Sequence, residues 1–251
     1  FTSNGVIGAN STGIYIAIRR GTKVPESASE VFAIDTAAGT SPTPPTFVSG
    51  FPVDFSFYKN VTDSSNNWGS QNRLTGDADL AFNTTSAEFT NGGTYWEKDY
   101  MNGIGSNTGT NSNGYQWMWK RAPGFFDVVA YTGNGTAGHT VSHNLGVAPE
   151  MMWVKRREST GVWGTYHSGV DATSPEDFYL KVESTGARVN DARFWNDTAP
   201  DDTVFTLGTH SQVNFSGGDY IAYLFASLPG ISKVGSYTGN GTSQTIDCGF
   251  T

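Results

Sequence analysis

The hexapeptide YTGNGT stands at Tyr131–Thr136 and again, letter for letter, at Tyr237–Thr242. The match extends outward in both directions. APGFFDVVAYTGNGT (122–136) aligns with LPGISKVGSYTGNGT (228–242), and upstream NSNGYQWMWKRAPG (111–124) aligns with FSGGDYIAYLFASLPG (215–230). NSTGIYIAIRRG (10–21) is a third relative of those upstream strands. A period of about 100 residues is one whole domain, longer than the 20–50 residues of a solenoid repeat. The phase divides the chain. Residues 1–30 read as the closing strand of a preceding repeat, 31–124 as a diverged first repeat, 125–230 as a second, and 231–251 as the opening of a third. On this reading the chain is a window onto a longer tandem array. TAAGTSPTPPT (36–46) is its one linker-like run.

Inside a repeat the signals are strands. DVVAYT, HTVSH, EMMWVKR, GVWGTYH, FYLKVES, DTVFTLG and YIAYLFA are short runs rich in Val, Ile, Thr and aromatics. Gly, Asn, Asp and Pro bound them at the short spacing of an antiparallel sandwich or barrel. No window carries a sustained helical period. The expected fold is all-β, with tandem antiparallel β-sandwiches of jelly-roll or concanavalin A-like form. Asn134-Gly135 and Asn240-Gly241 carry the dipeptide favoured in type I′ hairpins, so YTGNGT is expected to be a strand entering a tight hairpin.

Composition excludes several functions. Charged residues make up 15% of the chain, and the net charge is −8. The basic clusters are two or three residues long, too short for a phosphate-binding surface, so nucleic acid is not an expected partner. No apolar run approaches the roughly 20 residues of a membrane helix. Cys248 is the single cysteine, so no internal disulfide can form. Seven N-x-S/T sequons follow from a composition rich in Asn, Ser and Thr.

Catalytic chemistry finds no purchase. His139 and His143 lie on a strand pattern, where four residues span about 13 Å, too far for one metal. The first repeat has no histidine. The acidic loops GDADL, DATSPED and NDTAPDD lack fixed calcium-loop spacing, although a structural calcium is the alternative to simple turn capping. No nucleophile elbow, phosphate loop or dinucleotide fingerprint is present. Neither a catalytic residue nor a cofactor is expected. The surplus lies in aromatics. Trp68 and Trp163 hold equivalent places, as do Trp96 and Trp195; such residues serve as core anchors or as stacking platforms for sugars. Trp117 and Trp119 share a strand face and would form a contact patch if exposed. The candidate ligand-contact residues are therefore Trp117, Trp119, Trp163 and Trp195.

The strings YTGNGTxxxTVSHNLGVAPEMMWVKRR and FWNDTAPDDTVFTLG…VNFSGGDYIAYLFASLPGISKVGSYTGNGT resemble a repeated domain of bacteriophage tail and tail-fibre proteins, especially of phages of marine bacteria. The resemblance is close over about 125–251 and weaker over 31–124, where the loop 101–113 departs. It implies concanavalin A-like or SPRY-like sandwiches strung on a virion exterior, with no catalytic residue. The implied partners are a host cell-surface glycan or protein receptor, other virion proteins and further copies of the chain. The alternatives are a purely structural repeat (capsid decoration, fibre shaft or bacterial surface filament) and a glycan-degrading spike.

Overall fold

A computed structural model describes residues 23–36, 45–90, 96–106 and 113–250. The pattern at 10–21, most of the linker-like run and part of the loop 101–113 lie outside the described residues. The first half supplies β1 (Phe32–Thr36), β2 (Phe47–Val48), β3 (Phe55–Asn60), β4 (Gly69–Asn72), β5 (Leu80–Ala81), β6 (Trp96–Glu97), β7 (Gly103–Ser106) and β8 (Gly114–Trp119). The second supplies β9 (Phe126–Thr132), β10 (His139–Ser142), β11 (Met151–Arg156), β12 (Gly164–His167), β13 (Phe178–Lys181), β14 (Val189–Asn190), β15 (Val204–Leu207) and β16 (Asp219–Phe225). A single helical turn, α1 (Ser211–Asn214), precedes β16. The protein is all-β, and its named strands pair antiparallel.

One topology is built twice. The large sheet of the first half runs β1-β8-β3-β4-β5, and that of the second runs β9-β16-β11-β12-β13 with β14 added at its edge. The small sheets are β2-β7-β6 and β10-β15. Ladder register fixes the equivalences: Phe57 sits opposite Trp117 as Trp153 sits opposite Tyr223, and Ile34 opposite Trp117 as Val128 opposite Tyr223. Within each unit the two sheets enclose a core. Phe47, Trp96, Ile104 and Met118 pack in the first; Val141, Met152, Val154, Phe205, Leu207, Ala222 and Leu224 pack in the second.

A third apolar cluster joins the units. Strand residues alternate in direction, so Met152 and Val154 face the second unit's core while Met151 and Trp153 face the first unit. Ile221, Tyr223 and Phe225 do the same along β16. They meet Phe55, Leu80 and Phe82 of the first unit. Phe55 lies 4.3 Å from Tyr223 and 5.7 Å from Phe126, and Phe82 lies 4.7 Å from Trp153 and 4.9 Å from Trp163, centroid to centroid. The central strands β11 and β16 are thus buried on both faces, which accounts for their near-continuous apolar runs.

The expected hairpin at YTGNGT does not form. β9 pairs with β16, whereas β10 pairs with β15 in the other sheet, so the hexapeptide is a corner between sheets. Asn134 does not take the positive φ that a type I′ turn requires; Gly135 alone does, at +72°. The buried Asn214 side chain holds the corner by accepting from the amides of Asn134 and Gly135 at 2.8 and 3.3 Å. At Gly133 a Cβ would collide with the Phe215 carbonyl, so the first glycine of the motif is required by close approach. The second hexapeptide keeps part of this geometry. Asn240 accepts from the Thr242 amide at 2.9 Å, as Asn134 does from Thr136 at 2.8 Å, and Gly241 has φ +76°.

Candidate functional site

The four candidate tryptophans separate into two fates. Trp163 and Trp195 are fully buried and offer no ring face to a ligand. Trp163 lies in the seam between units, its indole N–H donating to the carbonyls of Ala81 and Thr84, both at 3.2 Å. Trp195 donates to the Phe178 carbonyl at 3.0 Å inside the second unit. Trp119 lies on the same strand face as Trp117 and packs against Phe32, Phe55 and Phe57 beside the seam. Trp117 is likewise part-buried, further from the seam.

Around Trp117 the sheet assembles an aromatic platform. Its ring lies 5.1 Å from Phe57, 5.4 Å from Trp68 and 6.0 Å from Tyr115, with interplanar angles of 29°, 34° and 31°. Rings so nearly parallel present one broad apolar face. Exposed Ile34 continues it across β1, and exposed Val61 lies just beyond β3. The turn between β3 and β4 that carries Trp68 is pinned by Lys59, whose ammonium donates to the carbonyls of Asp63 and Asn66. Phe57 was not among the candidates, and Trp68 was noted only as the equivalent of Trp163. The signal for Phe57 was its pairing with Trp117 across strands, which sequence spacing does not show.

A second feature is a charged cleft of about 450 Å³ lined by Arg73, Gly76, Asp77, Glu97, Lys98 and Asp99, with Trp96 in its wall. Its basic groups are held by backbone. Lys98 donates to the Gly76 carbonyl, and Arg73 Nε to that of Val53 at 2.6 Å. Burial pulls the Lys98 pKa down, against the pull of Asp79 and Asp77. Glu97 accepts from the Tyr100 hydroxyl at 3.0 Å. Carboxylates beside fixed donors suit a polyhydroxylated ligand.

His139 Nδ1 meets the Asn214 side-chain oxygen at 3.0 Å, and the other three histidines act on backbone. In His143, His167 and His210 Nδ1 accepts the amide two residues on, from Leu145, Gly169 and Gln212 at 3.3, 2.9 and 3.1 Å. A backbone N–H can only donate, so each ring is neutral with Nδ1 bare. Burial lowers all three pKa values below 6.5. The acidic loops behave likewise. Asp171 caps the amides of Thr173 and Ser174, and Asp201 those of Thr203 and Val204. Among the described residues, no group of three His, Cys, Asp or Glu side chains is placed to hold a metal ion.

No curated protein and no solved structure matches the chain. One family pattern does, over residues 27–251, which covers both sandwiches and the segment after them. The chain belongs to the DUF7483 family, described as a domain of unknown function.

Proposed function

We propose that the chain is a structural and adhesive segment of a bacteriophage tail fibre or tail-associated appendage, projecting from the particle and contacting the host surface without catalysis. The observation that carries this reading is the fusion of two like sandwiches through a shared aromatic core. That arrangement makes a stiff body from units that bend little against one another, as a projecting element requires. The resemblance of the repeats to tail-fibre domains, of concanavalin A-like class, supports the same assignment. Low charge suits it as well, since at high ionic strength exposed ion pairs contribute little. The host-surface ligand, a glycan or a glycosylated protein, enters the charged cleft beside Trp96, where carboxylates accept from sugar hydroxyls.

One observation favours a second, purely structural reading, as a shaft or filament repeat. The aromatic platform on the first unit matches a face that the second unit buries. Immunogold labelling of source particles with an antibody against the chain decides between them. Gold at tail tips or along tail appendages supports the proposal, and gold over capsids or cell-surface filaments overturns it.

A further inference from the structure

We infer that the face formed by Ile34, Phe57, Trp68, Tyr115 and Trp117 is the seat of another unit of the same fold, the one preceding β1 in the polypeptide. The second unit shows what this face looks like when covered. By ladder register Ile34 corresponds to Val128, Tyr115 to Ile221, Trp117 to Tyr223 and Phe57 to Trp153; Trp68 corresponds to Trp163, each standing one residue before its strand. Val128 is 2% exposed and Ile221 0%, while Ile34 is 53% and Tyr115 36%. At these two positions the face is sealed in one unit and open in the other, while Trp117 and Trp68 are part-buried where Tyr223 and Trp163 are fully buried.

The polar contacts differ in the same sense. The Trp163 indole N–H is satisfied by two carbonyls of the preceding unit. The Trp68 indole N–H has no hydrogen-bond partner among the described residues. A preceding unit seated like the first unit on the second supplies those carbonyls from the end of its fifth strand and the turn after it. Its counterpart of Phe55 then rests on Trp117. Val61 stands where Arg157 stands in the second unit, so the ion pair from Arg157 to Glu88 is not repeated and that corner of the contact is apolar. Residues 10–21, outside the described residues, carry the sequence pattern of β8 and β16, the strand that closes each unit before the next begins. This packing is independent of where the protein is displayed, so it stands or falls apart from the tail-appendage reading.

The test is a crosslink. Ile34→Cys, in a Cys248→Ser background, carries a short photoactivatable thiol reagent in the native polypeptide that contains these residues. Ile34 is exposed, so the variant folds, which circular dichroism checks. Irradiation is expected to join position 34 to a peptide of the preceding repeat. Hydroxyl-radical labelling of Trp68 and Trp117 is expected to be several-fold lower there than in the isolated 251-residue chain. A crosslink to a separate molecule, to an unrelated protein or to a glycan overturns the inference. So does equal labelling of the two tryptophans in both samples.

Discussion

Asn72 donates its side-chain amide to the hydroxyl of Tyr223 across 2.9 Å, and the pair is a buried polar bond between the two sandwiches. The Asn72 carbonyl oxygen meanwhile accepts from the amides of Leu74 and Thr75. One side chain therefore ties a turn of the first unit to the central strand of the second. Tyr223→Phe keeps the ring against Phe55 and leaves the Asn72 amide unpaired in a buried site. The expected loss is about 1–3 kcal/mol, read as a lower urea midpoint at unchanged slope. An unchanged midpoint would show that water reaches the seam.

The shared core predicts that the units unfold together. Phe55 is fully buried and touches Phe126, Tyr223, Trp119 and Phe57. Phe55→Ala is expected to cost about 3–5 kcal/mol. The wild-type chain should show one urea transition, coincident by tryptophan fluorescence and far-ultraviolet circular dichroism. Two resolved transitions, with only the earlier one moved by Phe55→Ala, would mean that the seam is weak.

Acid should destabilise the fold through its histidines. His143, His167 and His210 bind protons less readily folded than unfolded, because burial disfavours the charged ring. Their contribution is fully present above the unfolded value near 6.5 and is lost as pH falls through the lower folded values. A second loss, from carboxylates such as Asp171 and Asp201, belongs below their ordinary value of 3.8. His210→Asn keeps an oxygen acceptor for the Gln212 amide and removes the titration. Thermal midpoints measured from pH 7.5 to 5 should fall less steeply in that variant than in wild type.

Alkali should act in the opposite sense over a narrow window. Lys155 is buried at the seam, donating to the carbonyls of Arg156 and Ser159, and burial brings its pKa down to about 8 despite Glu183, Glu158 and Glu88 nearby. Between about 8 and the unfolded value of 10.5 the unfolded chain holds more protons, so stability rises with pH. Buried tyrosines reverse this. Tyr166 is pushed up to about 12 and Tyr131 and Tyr223 are raised by burial, so ionisation of unfolded tyrosine near 10 pulls stability down. A shallow maximum is expected near pH 10, with its rising limb absent in Lys155→Met. A flat profile in wild type would mean that the ammonium is hydrated.

Much of the architecture was legible because strand signals are local. All seven strand patterns read in the second unit appear as β9, β10, β11, β12, β13, β15 and β16, shifted by a residue or a few at their ends. What sequence could not supply was the partner of each face. On β8 Tyr115, Trp117 and Trp119 point one way and Gln116 and Met118 the other, and the glutamine gives no local sign of which face is wet. Its own face is dry. Gln116 bonds Ser56 and Gln71 inside the first sandwich, a polar trio formed across three strands, where the second unit has Ala222, Met152 and Tyr166. The hairpin misreading has the same root: Asn-Gly specifies a turn locally, but Asn214, far along the chain, decides which turn.

The turn that links the two units recurs at the end of the second, with a geometric consequence. Ala122 bridges Phe126 as Leu228 bridges Ser232, with the same backbone bonds: Phe125 and Phe126 donate to the Ala122 carbonyl, and Ile231 and Ser232 to that of Leu228. Were that second turn to lead into a further unit seated as the second is on the first, the same rotation and the same translation would apply at each step. Any operation of that kind, iterated, is a screw axis. A polypeptide carrying many such units would wind into a superhelix whose pitch is encoded in a five-residue turn, and lengthening that turn by one residue would change the pitch of the whole.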